Sequence, residues 1–483
     1  MTHRLTAGRL PSVLLAAALT PLALTLTAPT AHAATAARPY DFNGDGRVDL
    51  AIGAPGATVG GKAKAGAVSV VYGGSSGLKT STRTLITQNT AGVPGTAEAD
   101  DAFGTAVASA DLDTDGYADL LIGAPGEDVD GDTNDGTVIV VWGTGSGLSG
   151  ARSVPNPFDR DLDRYGQSLA VGDVEVDGDL DLVIGANGPI TLGFINGPFT
   201  KSSAFQGGSG SGFPAPYSPA YGITSLSAGP VNAWQTNLVV HGRKSDGDAI
   251  THLVTEPNIG NYTDWMQELP AGYVSAIGDI DKDGYADIAI GNERETSADP
   301  AGAKGGKVTV VYGGPAGRDS SRTPLVLTQD TAGVPGAAES GDRFGSHVSL
   351  GDIDGDGHAD LAVGASGENA GAGSVTVLYG SAAGLRTTGV QSFTQNTAGV
   401  PGAAEANDRF GARVLLADHS GDRRAELTVS ATGEDGDGAV WSLRGATTGV
   451  TTGGATGLAT SFGPGTTGVS TAGVPAYGAA LNS

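Results

Sequence analysis

Cysteine is absent from all 483 residues. No disulfide and no thiolate metal site can staple this chain. Basic residues are scarce, with 27 Lys and Arg against 52 Asp and Glu for a formal charge of −25. Such a surface repels nucleic acid and anionic membranes and attracts divalent cations. No H-x-x-H or H-E-x-x-H occurs, which removes the familiar zinc arrangements. Long apolar runs are confined to the N-terminus. Glycine, by contrast, is abundant at 80 residues. It follows no Gly-X-Y period, so collagen is excluded. Many short strands joined by tight turns account for it better.

The N-terminus reads as a secretory signal. Arg4 and Arg9 form a basic start, Val13 to Leu24 is mostly apolar with Pro21 inside it, and Ala31-His32-Ala33 is an A-x-A cleavage site. Residues 1–33 are therefore expected to be removed, leaving 34–483 as a secreted, extracellular protein without a membrane span. Removal takes two arginines and no acids, so the charge moves from −25 to −27.

The chain repeats itself. "AFGTAVASADLDTDGYADLLIGAPGE" from Ala102 aligns without a gap to "RFGSHVSLGDIDGDGHADLAVGASGE" from Arg343. Weaker copies start at Arg164 and Arg409, with further cores at Asp41 and Gly278. An eroded copy from Tyr221 fills the remaining gap. Seven units result, with acidic turns near 41, 111, 173, 279, 352 and 418 and a degenerate turn near 229. Each good unit offers four short strands of period two. One follows Phe-Gly, one follows the acidic turn, one is valine-rich ("AVSVVYGG" at 67, "KVTVVYGG" at 307), and the fourth is weaker ("TLITQN" at 84). The expected fold is all-β, a seven-bladed propeller of four-stranded antiparallel blades. The first unit lacks its Phe-Gly strand. "TAGVPG" precedes such strands elsewhere, and the C-terminus reads "TAGVPAYGAALNS". Tyr477 to Leu481 is thus expected to complete blade one and close the ring.

Phe-Gly, an acidic turn and Gly-Ala-Pro in fixed order resemble the FG-GAP repeat, as in the N-terminal β-propeller of integrin α subunits and bacterial secreted integrin-like proteins. The resemblance covers nearly all of residues 34–483. Gly-Ala-Pro survives only at 53 and 123, and the fourth unit matches poorly.

The acidic turns follow D-x-[DN]-x-D-G-x-x-D. Oxygen donors at positions 1, 3, 5 and 9, with a backbone carbonyl at 7, suit calcium, which takes six to eight hard oxygen ligands. Magnesium demands stricter geometry. The EF-hand alternative needs an acid at position 12, where Ile52, Ile122, Ile290 and Val363 stand. The loops look like the integrin-type calcium hairpin instead. The expected ligands are Asp41, Asn43, Asp45 and Asp49; Asp111, Asp113, Asp115 and Asp119; Asp173, Glu175, Asp177 and Asp181; Asp279, Asp281, Asp283 and Asp287; and Asp352, Asp354, Asp356 and Asp360. That makes about five structural Ca²⁺ sites. The loop of Asp418, Ser420, Asp422 and Glu426 carries Arg423 where glycine belongs and stays outside the set.

The resemblance implies a binding or adhesion module for an extracellular protein or glycan, using the face away from the acidic turns, and the chain is expected to be a monomer. The alternative is a carbohydrate-active enzyme, a polysaccharide lyase or hydrolase, with its site in the channel. Acids and aromatics facing that channel would favour it, and the aromatic candidates are Tyr217, Tyr221, Trp234 and Trp265. Gly73-Gly74-Ser75-Ser76-Gly77 matches G-x-S-x-G, but a strand-like run follows it rather than the helix a nucleophile elbow needs. Glu98, Glu339 and Glu405 recur in the linkers before Phe-Gly and read as solvated loop residues. His347 is expected to pack on an inner strand, and His358, at position 7 of its loop, to matter only through its carbonyl.

Overall fold

The computed structural model describes residues 1, 35–156, 162–188, 191–202, 205, 208–211, 216–232, 235–255, 266–453 and 459–482. Residues 2–33 of the expected signal segment, Trp234 and Trp265 lie outside the described residues. Among the described residues, seven antiparallel sheets with a four-stranded path follow one another along the chain, beside a two-stranded ribbon of Gly313–Gly314 and Gly317–Arg318. Blade two is typical: Ala106–Ala110, Asp119–Ala124, Thr137–Val141 and Ala151–Val154 pair in sequence order. Blades three to seven begin with Asp163–Gly172, Ile223–Gly229, Val274–Gly278, Phe344–Gly351 and Phe410–Ala417. These first strands are innermost, and each contacts the first strand of the next blade around the ring.

Blade one is assembled from both chain ends. Leu50–Ala54, Ala67–Tyr72 and Lys79–Ile86 are joined by Ala480–Leu481, with Ile52 opposite Leu481 and Gly53 opposite Ala480. The Asn482 side chain locks the seam. Its Oδ1 accepts the Ala51 N–H at 2.7 Å, and its amide donates to the Asp49 carbonyl at 2.8 Å. The closure expected from register alone is the one observed, and no blade is left with an open inner edge.

The Phe-Gly and Gly-Ala-Pro signals are two halves of one inter-blade joint. Phe103, Tyr165, Phe344, Phe410 and Tyr477 are fully buried between blades. The glycine after the ring sits in the left-handed region, as at Gly104 (φ 89°). Its N–H donates to the carbonyl of Gly123 in its own blade. The Gly-Ala-Pro glycine of the preceding blade then approaches so closely that a Cβ on Gly53 would lie 2.2 Å from the Gly104 carbonyl oxygen. Only glycine fits there. Seven separate apolar clusters, built mainly from valine, leucine and isoleucine of facing blades, fill the wedges between sheets.

Blade four keeps the architecture without the acidic turn. His241 is fully buried, and its ring nitrogens meet the Gly272 carbonyl at 3.0 Å and Ser275 Oγ at 2.9 Å. Burial pushes its pKa down to about 4, so it is neutral there. Tyr217, taken from the sequence as a channel candidate, is instead buried in the core between blades three and four. Its hydroxyl donates to the Val240 carbonyl at 3.2 Å. An aromatic ring in an eroded repeat still had an inter-blade wedge to fill. Among the described residues, no helix is long and apolar enough to cross a membrane.

Candidate metal centres

Each acidic turn leads into the second strand of its blade, and in every turn-bearing blade but the first it also links that strand to the innermost one, so all of them lie on one face of the ring. The turn is folded by its own side chains. Asp111 Oδ1 accepts the Asp115 N–H at 3.1 Å and Oδ2 accepts the Gly116 N–H at 3.0 Å. The same two bonds recur at Asp41, Asp173, Asp279, Asp352 and Asp418. The position-5 carboxylate accepts the N–H of position 7, as Asp283 does from Tyr285 at 2.9 Å. Local hydrogen bonding thus explains why Asp and Asn, residues that prefer to bond nearby backbone, populate positions 1, 3 and 5.

Three of the expected ligand sets converge. Asp111, Asp113 and Asp115 bring carboxylate oxygens within 4.8 Å of one another, as do Asp279, Asp281 and Asp287, and Asp352, Asp354 and Asp356. Asp119, Asp283 and Asp360 complete their loops outside those tightest triads. In the loops of Asp41, Asn43, Asp45 and Asp49 and of Asp173, Glu175, Asp177 and Asp181, no acidic triad that tight forms among the described residues. Glu175 is turned instead to the Asn196 amide at 2.5 Å.

Two position-3 oxygens are buried without any hydrogen-bond partner, Asp113 Oδ1 and Asp281 Oδ1. A buried carboxylate oxygen left unpaired is costly. Cationic side chains from elsewhere lean on the same groups. Lys201 Nζ lies 2.5 Å from Asp115 and 3.5 Å from Asp113, and Arg322 contacts Asp281. Burial raises the Asp113 and Asp354 pKa values, with neighbouring carboxylates adding to the effect. All-oxygen donors, orphaned buried oxygens and disfavoured negative charge together fit a hard cation.

Position 9 does a second job that the spacing did not reveal. Asp49 Oδ2 accepts the Phe42 N–H at 3.0 Å while Oδ1 accepts the Gly73 N–H at 2.8 Å. Asp119, Asp181, Asp287 and Asp360 form the same fork, each to position 2 of its own turn and to a glycine just past the third strand. The carboxylate ties turn to sheet. Burial is the main reason that Asp49, Asp287 and Asp360 are pushed up to about 7 and Asp119 to about 8, with backbone N–H donors pulling the other way. In blade four a neutral Asn237 takes over, accepting the Asn232 N–H at 2.8 Å. An amide still forks where no cation is called for. The recurring glycine after the third strand was the available sequence signal.

His358 matters beyond its carbonyl, because its Nδ1 meets the Ile280 carbonyl of the preceding blade at 3.0 Å. The turn geometry aims its side chain across the blade boundary. His347 pairs with the Val414 carbonyl at 3.1 Å. Glu98, Glu339 and Glu405 are exposed, and their backbone N–H groups are engaged by Asp101, Asp342 and Asp408 at 2.6 Å. Sequence reasoning missed a set of inter-blade latches. Gln88, Gln329 and Gln395 donate to Glu127, Glu368 and Glu434 of the following blade.

The seventh-blade loop carries a backbone penalty. Arg423 sits at φ 70°, where glycine stands in the other acidic turns. Left-handed backbone costs an L-residue roughly 1–2 kcal/mol, of which glycine's looser unfolded state takes back roughly 0.4–1. Arg423→Gly is therefore expected to stabilise the chain by about 1 kcal/mol, read as a higher urea midpoint at fixed calcium. A lowered midpoint would mean that the arginine side chain contributes more than its backbone costs.

Comparison with known proteins agrees with this architecture. A family model described as "FG-GAP repeat" matches residues 33–71, 103–141, 271–311 and 344–378, which are the turn-bearing parts of blades one, two, five and six. The phosphatidylinositol-glycan-specific phospholipase D of Mus musculus is 34% identical over 163 residues, covering 33% of this chain and 19% of that protein. Integrin alpha-5 of Xenopus laevis is 28% identical over 228 residues, covering 42% of this chain and 20% of the integrin. Integrin alpha-6 of Homo sapiens is 37% identical over 121 residues, covering 25% and 10%. The matched region thus spans a fifth or less of each of these relatives. The family model thus matches within four of the seven blades, and part of the chain is similar to integrin α subunits.

Proposed function

We propose that the chain is a secreted, calcium-stabilised propeller that acts as a binding or adhesion module for an extracellular protein or glycan. The carrying observation is the pair of buried, partnerless oxygens on Asp113 and Asp281 inside three-carboxylate groups. Calcium, when bound, supplies the positive charge that lets such carboxylates stand together. The residues that would hold it are those at positions 1, 3, 5 and 9 of the five loops, from Asp41 to Asp360. The N-terminal sequence pattern supports secretion, into a compartment where calcium is plentiful. The resemblance to integrin α propellers supports the binding reading. The activity named for the phospholipase belongs to a protein of which only 19% is aligned. The described residues lining the channel include no Asp or Glu, so the carboxylate pair of a hydrolase is not found among them.

Calorimetric titration of the metal-free chain with calcium tests the reading. Uptake of about five ions is expected at dissociation constants on the order of 10⁻⁴ M. Asp281→Ala is expected to remove one of them and leave the others. No uptake, or unchanged stoichiometry in that variant, overturns the metal assignment.

A further inference from the structure

We infer that the channel mouth opposite the acidic turns is a binding site for a carboxylated sugar. The inference deepens the binding-module reading and requires the propeller but no particular metal ligand. The innermost strands run from their Phe-Gly ends to the acidic turns, so their first residues mark the other face. A cavity of about 270 Å³ opens there, lined among others by Gln167, Thr224, Ser225, Arg243, Tyr273 and Arg413.

The charge of this cavity runs against that of the molecule. Acids outnumber bases 52 to 27. Yet two guanidiniums, from blades four and seven, line one cavity whose described residues include no carboxylate. Neither arginine joins an ion pair among the described residues. Glu293 is the acid whose charge reaches Arg413, and it does so from beyond ion-pair distance. Arg243 is held in place by aromatic rings, its Cζ lying 5.4 Å from the Tyr221 centroid and 5.1 Å from that of Tyr273. Its Nε is buried and has no acceptor. Arg294 lies 5.1 Å from the same Tyr273 ring and adds a third positive charge nearby.

A planar guanidinium fixed by stacking is preorganised for bidentate recognition of a carboxylate. The remaining wall decides what carries that carboxylate. Gln167 spends its amide nitrogen on the Tyr221 and Ile223 carbonyls and Thr224 its hydroxyl proton on that of His241, so with Ser225 they present mainly acceptor oxygens, suited to the hydroxyls of a polyhydroxylated body. Tyr221, 38% exposed, stands at the rim, its carbonyl bonded to Gln167 and its ring against Arg243, and its remaining ring surface is one on which a sugar face can rest. Carboxylate, hydroxyls and an apolar ring face on one small body describe a uronic-acid unit better than an acidic peptide.

The test is calorimetric titration of the full chain, in calcium, with a galacturonic-acid trisaccharide. Its methyl-esterified neutral form, a hexaglutamate peptide and sodium sulfate are run beside it. Binding of the charged trisaccharide is expected to be at least tenfold tighter than that of the neutral form, and to weaken at least tenfold in Arg243→Gln and in Arg413→Gln. If Arg413→Gln melts early, arginine modification by phenylglyoxal on the unaltered chain replaces it. The trisaccharide should then protect Arg243 and Arg413 but not the exposed Arg83. Equal binding of the neutral sugar, tighter binding of hexaglutamate, binding of sulfate alone, or binding unchanged in Arg243→Gln each overturns the proposal. Failure of the calcium reading would show as absent calcium uptake with sugar binding intact. A glycan or protein still held by the double arginine variant would keep the module and discard this site.

Discussion

Millimolar calcium is expected to raise the thermal midpoint of this chain by about 7 °C over its value in EGTA. Carboxylates about 4 Å apart repel by roughly 1–4 kcal/mol per pair at effective dielectric constants of 80 to 20. The tight triads at Asp111, Asp279 and Asp352 place their oxygens at about that range. With ligand tenfold above a dissociation constant on the order of 10⁻⁴ M, each site contributes roughly 1.4 kcal/mol by mass action. Five sites together give roughly 7 kcal/mol, comparable to the stability of a whole domain. Unfolding entropy is roughly 2.1 cal/mol/K per residue, so roughly 450 residues convert this into about one degree per kcal/mol. Magnesium at the same concentration is expected to reproduce less than half the shift, because it dehydrates reluctantly and demands octahedral order. Differential scanning calorimetry reads both. An unchanged midpoint would leave the turns as solvated hairpins held by their internal hydrogen bonds.

Deleting residues 477–483 is expected to cost at least about 5 kcal/mol and to drive the chain into dimers or aggregates. Tyr477 is fully buried, with its hydroxyl 3.1 Å from Ser69 Oγ and 3.0 Å from Thr467 Oγ1. Leu481 is 3% exposed and pairs with Ile52. Truncating a buried large aromatic costs roughly 3–5 kcal/mol and a buried leucine roughly 2–5 kcal/mol. The deletion also uncovers Leu50–Ala54 as an apolar inner edge, a template for pairing with another copy. Urea unfolding and size-exclusion chromatography measure the two effects. If the truncated chain does not fold, Leu481→Ala supplies the readable version, with an expected loss of roughly 2–5 kcal/mol. A midpoint within about 1 kcal/mol of the full chain would mean that the seam does not hold the ring.

The amino-acid sequence alone determined the local structure and its repetition. Valine alternation marked the strands, glycine marked the turns, and Asp and Asn spacing marked loops that fold by bonding their own backbone, as the Asp111 turn does. Even closure was legible, because "TAGVPAYGAA" repeats a register set by other units. These signals span about ten residues, the range over which side-chain period and backbone preference act. Only the tertiary structure decided what meets across blades. It aims the Asp49 fork at Gly73, joins Gln88 to Glu127, buries Tyr217 in a wedge, and carries Arg243 and Arg413 to one cavity. Those partnerships depend on how one sheet is turned against another. No local pattern records that angle, because it is fixed by the packing of all seven blades at once.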